Sequence, residues 1–246
     1  MLNLSNLADN QTADPFDFIW RKSAPNSAQD DTLFCARKKM ADGFSRDRAL
    51  ALLREWTEGE SLRKHGMAVS VCVEAYGLRE AERLGLSGDD AARFAEMYAC
   101  AGLVHDMDYE KHPTVEEHPF VGVARLRELG WPEAVIHAVL AHADYSGVAR
   151  ESHLDKALFA CDELAGFLTA CALVKPSRSI KDVEVAGVKK KMKDKAFARA
   201  VKREDITDGA ALLGVSVDEH VGNCLRAMQE RAVWLGLAGS AAAIDG

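Results

Sequence analysis

A chain of 246 residues, 48% hydrophobic and 28% charged, can bury a sizeable core, and its length suits one domain with extensions or at most two small domains. The formal net charge of −7 argues against non-specific binding to nucleic acid. No uncharged apolar run reaches the roughly 18 residues of a membrane span, and the polar start lacks the basic and apolar regions of a secretion signal, so a cytoplasmic protein is expected.

Residues 1–30 are polar, contain Pro15 and Pro25, and read as a flexible leader within an N-terminal extension over 1–44. Its apolar cluster, Phe16 to Trp20, can dock on the body. Ser45 is placed to cap a helix over 46–56. A long helix is expected over 60–84, with Leu62, His65, Val69, Cys72, Val73 and Tyr76 on one stripe. Ser87 or Asp89 opens the next helix, which runs to about His105, and Pro113 marks a loop. A helix over 118–129 ends at Gly130, and Pro132 starts another that reaches about His142. Ser152 caps a helix that runs to Val174 and stops before Pro176.

Residues 175–204 change character, with eleven Lys or Arg against four Asp or Glu. Helices over 204–213 and 217–237 follow, then a small-residue tail over 238–246. No strand alternation persists and no internal repeat is visible. The expected fold is all-α: a helical domain over 45–237, with its core at 46–175 and a C-terminal helical cap at 176–237. The six cysteines, Cys35, Cys72, Cys100, Cys161, Cys171 and Cys224, contain no Cys-x-x-Cys pair and are expected as reduced core thiols.

Chemistry concentrates on a few apolar stripes. Asp162 and Glu163 are the only charged residues between Ala157 and Val174, and Asp162 shares a stripe with Leu158, Cys161, Ala165 and Leu168. A carboxylate buried there requires a compensating metal or cation. His105 continues the stripe of Phe94, Tyr98 and Ala101, His142 continues Val135 and Val139, and His65 sits among Leu62, Val69 and Cys72. Convergent imidazoles and carboxylates are how helix bundles build metal sites. Without thiolates, this set suits Mn, Fe, Zn or Ni better than a structural zinc.

The ordered set His65, His105-Asp106 and Asp162 resembles the HD superfamily, over about residues 46–175. His118-Pro119-x-x-Gly122 and the later His142 resemble the extra elements of its two-metal members. The resemblance implies two divalent transition-metal ions (Mn, Fe, Ni or Zn), bridged by Asp106. His65, His105 and Asp162 would serve one ion, and His118 and His142 the other. It also implies a phosphohydrolase acting on a small phosphorylated metabolite or nucleotide, with Asp144 or Asp108 orienting water or protonating the leaving group. The residues from Lys156 through Phe197 resemble small bacterial HD hydrolases. Ala143 follows His142, and Met107-Asp108-Tyr109 follow Asp106, so the pattern departs from the cyclic-dinucleotide phosphodiesterase branch.

Two further readings share these ligands: a diiron oxygenase that cleaves a C–C or C–P bond, and a non-catalytic metal-containing module that binds a nucleotide. The basic segment offers Lys189, Lys193 and Arg178 either as an anion-binding wall or as part of a solvated helix face. Its lack of interleaved aromatics argues against nucleic acid. His112 and His137 are expected at the surface, and His153 and His220 at helix-start or solvent positions. Protease, nucleophile-elbow, P-loop, dinucleotide and deaminase signatures are absent.

Overall fold

The computed structural model describes residues 44–239. The leader, its Phe16 to Trp20 cluster, Cys35 and the end of the tail lie outside the described residues. Among the described residues there are nine α-helices and no strand, only an isolated bridge between Ser179 and Ala238. Nor is any of these helices long and apolar enough to cross a membrane.

Helix α1 (Arg46–Trp56) starts as its sequence predicts, with the Ser45 side chain accepting from the Arg48 amide. Helices α2 (Glu60–Arg83) and α3 (Gly88–Val104) then form the most extensive helix pair of the bundle. Their backbones touch at Gly102, where a Cβ would lie 2.6 Å from Ser70 Cα. The Glu110 carboxylate, just past α3, accepts from the amides of Glu58 and Gly59 and supplies α2 with the cap that Gly59 lacks. The turn after α3 is thereby tied to the start of α2.

Two short helices, α4 (Phe120–Glu128) and α5 (Glu133–Ala141), lead to α6 (His153–Leu173). A reciprocal Ser152–Asp155 capping box starts α6. This helix packs on α2 and α5 and buries Leu158, Leu164, Phe167 and Leu168. Each such side chain stabilises the fold by about 1.5–3 kcal/mol when fully buried. Next come α7 (Val185–Met192), α8 (Arg203–Leu212) and α9 (Val217–Glu230), of which α8 lies on α6 and α9 on α2. Arg203 stitches the turn between α7 and α8 by donating to the carbonyls of Phe197, Ala198 and Val201.

The structure corrects two helix bounds. The helix expected from residue 118 begins at Phe120, so His118 stands in the turn before it. The last helix ends at Glu230 and not at 237, because the chain turns and the Leu237 carbonyl accepts from the Ile180 amide. His220 is also corrected: it is fully buried between α9, α6 and α2. Its Nε2–H donates to the Ala160 carbonyl at 2.8 Å, which leaves Nδ1 to accept from the Tyr76 hydroxyl at 2.7 Å. His153 is half-buried beside the Tyr98 hydroxyl. The five described cysteines are free and buried.

Candidate metal centre

Side chains from three helix ends and two helix interiors converge around one carboxylate, Asp106. His65 lies within α2 and Asp162 within α6, 97 positions apart, yet His65 Nε2 is 2.9 Å from Asp162 Oδ1. His105 and His142 are the C-cap residues of α3 and α5. A helix C-terminus leaves carbonyls without amide partners, and here the imidazoles use them. His105 Nδ1–H donates to the Gly102 carbonyl at 2.9 Å, and His142 Nδ1–H donates to the Val139 carbonyl. A carbonyl only accepts, so the proton sits on Nδ1 and the Nε2 lone pair is left for a cation.

His118 gains the same tautomer from a side chain. Its Nδ1–H donates to Asp108 Oδ1 at 2.7 Å, and Asp108 Oδ2 accepts from the Gly122 amide at 2.6 Å. Only glycine fits at 122, because a Cβ would sit 2.9 Å from Asp108 Cγ.

The Nε2 atoms meet Asp106 in two pairs. Oδ2 of Asp106 lies 3.4 Å from His105 and 3.7 Å from His65, while Oδ1 lies 3.3 Å from His118 and 3.5 Å from His142. Two compact groups result, His65–His105–Asp106 and Asp106–His118–His142, with the ligand atoms of each within 4.8 Å of one another. Asp162 borders the first, 3.4 Å from His105 Nε2. That Nε2 is fully buried with no hydrogen-bond partner, and a bound cation would satisfy it. The donor set of imidazoles and carboxylates, with no thiolate, fits a divalent transition metal.

The electrostatics favour positive charge at the centre. Burial disfavours the Asp106 carboxylate, but His105, His118 and His142 hold its pKa well below the usual range. Asp162 is likewise lowered against burial by His105 and His65. Burial also penalises the imidazolium of His105, yet Asp106 and Asp162 outweigh it and push the pKa well up. His118 rises to about 9, against burial, through Asp106 and Asp108. Protons therefore occupy these imidazoles when no cation does, and an incoming metal must displace them.

All six predicted metal ligands are brought together. The two proposed acid–base residues separate. Asp108 is 1% exposed and both its oxygens are engaged. Asp144 lies exposed on the 3₁₀ turn Asp144–Ser146 just after His142, paired with Arg150, which also donates to the His142 carbonyl. Lys189 pairs with Asp218 at 2.7 Å, Lys193 ends α7, and Arg178 holds a left-handed turn at φ 52°. His112 pairs with Glu117, and the partly exposed His137 with Asp155.

Sequence reasoning missed two aromatics. Tyr109 and Tyr145 are both exposed and flank His118, with ring centroids 5.1 and 6.5 Å away. Burial, then the Asp106 and Asp108 charges, push the Tyr145 hydroxyl up to about 12. It missed as well a cleft of about 940 Å³ beside His65 and Tyr109, which none of Lys189, Lys193 and Arg178 lines. Helical periodicity carries no signal for either, since the two tyrosines stand on turns and the cleft joins two helices to the Tyr109–Pro113 turn and residues 235–237.

Asp108→Asn tests the support of His118. An amide offers one acceptor oxygen where the carboxylate uses two, so either His118 Nδ1–H or the Gly122 amide loses its partner. Affinity for metal at the His118–His142 side is expected to fall about 10- to 100-fold. A metal titration matching wild type would remove Asp108 from that role.

Residues 70–166 match the family model of the HD domain. No curated protein and no solved structure matches the chain. The matched segment contains His105, Asp106, His118, His142 and Asp162, and His65 stands just before it. The all-helical frame, the order in which the chain supplies its imidazoles and carboxylates, and this match agree: over residues 70–166 the chain carries an HD domain.

Proposed function

We propose that this chain is a metal-dependent phosphohydrolase acting on a small phosphorylated molecule. HD domains are mostly metal-dependent phosphohydrolases. The observation that carries the reading is the division of one carboxylate, Asp106, between two pairs of imidazoles. His65, His105 and Asp162 would hold one divalent transition-metal ion and His118 and His142 a second, with Asp106 shared. Two such ions supply Lewis acidity toward the phosphoryl oxygens and a nucleophile at neutral pH.

The chain's own residues do the rest. The carbonyls of Gly102 and Val139 and the Asp108 carboxylate fix the imidazole tautomers, so no reorientation is needed when phosphate arrives. Tyr145, held protonated at neutral pH, presents a hydroxyl donor beside His118. Asp144, exposed and braced by Arg150, is assigned to the proton that the leaving alcohol acquires, and Asp108 to positioning. Water attacks phosphorus, the P–O bond to the alcohol breaks, the alcohol gains a proton and inorganic phosphate leaves.

Protein purified without chelator is expected to hold about two metal ions per chain and to release phosphate from simple phosphate esters, with loss of activity on chelation. Metal content that never exceeds one ion would confine the site to the His65–His105–Asp162 side. Iron-dependent oxygen uptake without phosphate release would overturn the hydrolase reading in favour of an oxygenase. Nucleotide-induced thermal shift without any turnover would favour a binding module.

A further inference from the structure

The cleft beside the metal centre carries information about the rest of the substrate. It is bounded by the first turns of α2, the turn through Tyr109 and Pro113, the C-terminal half of α6 and residues 235–237. His65 belongs both to its lining and to the first ligand group, and Tyr109 both to its lining and to the surroundings of His118. The cleft therefore adjoins the centre at His65. A molecule with a phosphate at Asp106 can extend into the cleft past these two side chains.

Five aliphatic side chains, Leu62, Ala170, Leu173, Leu235 and Leu237, line it beside polar ones such as Ser61 and Thr169, and more of its surface is apolar than polar. Leu173 is 45% exposed, a position that an apolar ligand would cover. Among the described residues, Lys64 is the one Lys or Arg in the lining, and Glu60 holds it at 3.0 Å. Glu110 is spent on the amides that start α2. A substrate carrying further phosphates would meet no uncommitted cation there, whereas an aliphatic group gains by leaving water.

We infer that the cleft takes the aliphatic part of the substrate, so that the ester presented to the metal centre is an amphiphilic phosphomonoester. This rests on the phosphohydrolase reading for its chemistry, but the cleft's preference for an aliphatic group can be measured without turnover. The specificity-determining residues are Ala170 and Leu173 on α6, which line the cleft together with Leu235 and Leu237.

The test is a series of n-alkyl phosphates from methyl to octyl, hydrolysed by the metal-loaded full chain. In parallel, binding of the matching non-hydrolysable alkylphosphonates is followed by calorimetry. The value of kcat/KM is expected to rise about two- to fourfold per methylene over the first several carbons. Phosphonate affinity should rise in step. Leu173→Gln and Ala170→Trp should collapse the octyl-to-methyl ratio toward one. Leu173 is exposed enough to be replaced without loss of fold, so this arm stays informative if the tryptophan variant misfolds. Hydrolysis that ignores chain length, with phosphonate binding equally flat, overturns the inference and leaves the hydrolase reading standing. Chain-length-dependent phosphonate binding with no hydrolysis of any ester supports the cleft and overturns the hydrolase. Chain-length dependence unaltered in both variants overturns the assignment to this cleft.

Discussion

Asp106→Ala is expected to strip the protein of metal more completely than any single histidine substitution. Each histidine faces one side of the centre, but Asp106 faces both, Oδ2 toward His65 and His105 and Oδ1 toward His118 and His142. Its loss would remove a donor from both groups at once. Metal content should fall from about two ions per chain to well below one, and hydrolysis by about a thousandfold or more. His142→Ala, in contrast, should retain the ion on the His65 side. Metal analysis of the two variants purified alongside wild type decides the matter. An Asp106→Ala protein that keeps wild-type metal content would sink the shared-carboxylate assignment.

Gly102→Val should unfold the protein at a markedly lower temperature. The added Cβ would lie 2.6 Å from Ser70 Cα and 2.7 Å from Ser70 N, both backbone atoms in the middle of α2. No rotamer change relieves a clash between one helix's side chain and another's backbone, so the two helices must move apart. Overpacking typically costs about 1–3 kcal/mol, and here it strikes the most extensive helix pair of the bundle. At about 2–4 °C per kcal/mol for a chain of this size, a fall in Tm of roughly 6–12 °C follows for the upper figure. The shift also moves the Gly102 carbonyl that orients His105, so metal affinity should drop with stability. Gly187, exposed on α7 with nothing within 4 Å of its missing Cβ, serves as the control. Gly187→Ala should be neutral or stabilising by up to about 1 kcal/mol. Equal melting curves for the two variants would mean that α2 and α3 are not held at that contact.

The meeting of these six side chains was legible in the sequence because each rides on a helical stripe or stands near a helix end. Imidazoles at 105 and 142 continue apolar faces, and the Asp162 carboxylate interrupts one, so periodicity alone brings them inward. The division between Asp144 and Asp108 was not legible. Both are acids shortly after a ligand histidine or aspartate, and what separates them is Gly122, whose missing Cβ lets its amide reach Asp108. The lysine run shows a second limit. Helical spacing puts Lys189 and Lys193 on one face, but α7 ends at Met192, and Asp218, 29 positions away, captures Lys189. His220 was misread for a simpler reason. Its own helix start is polar, and only the spacing to Cys224 and Met228 marks the face that turns inward.

Ligands and cleft wall come from different parts of the chain. Five of the six candidate ligands fall within residues 70–166, whereas Leu235, Gly236 and Leu237 close the cleft from beyond the last helix. That closing segment is pinned by the Ile180 amide to the Leu237 carbonyl, by the Ser179–Ala238 bridge, and through Gln229, which donates to the carbonyls of Ile180 and Val183. None of these ties involves a ligand residue. Mutational drift in the closing segment can thus reshape the cavity while the imidazole–carboxylate cluster stays untouched. Chains sharing this imidazole–carboxylate arrangement are free to diverge in diet without first surrendering their chemistry.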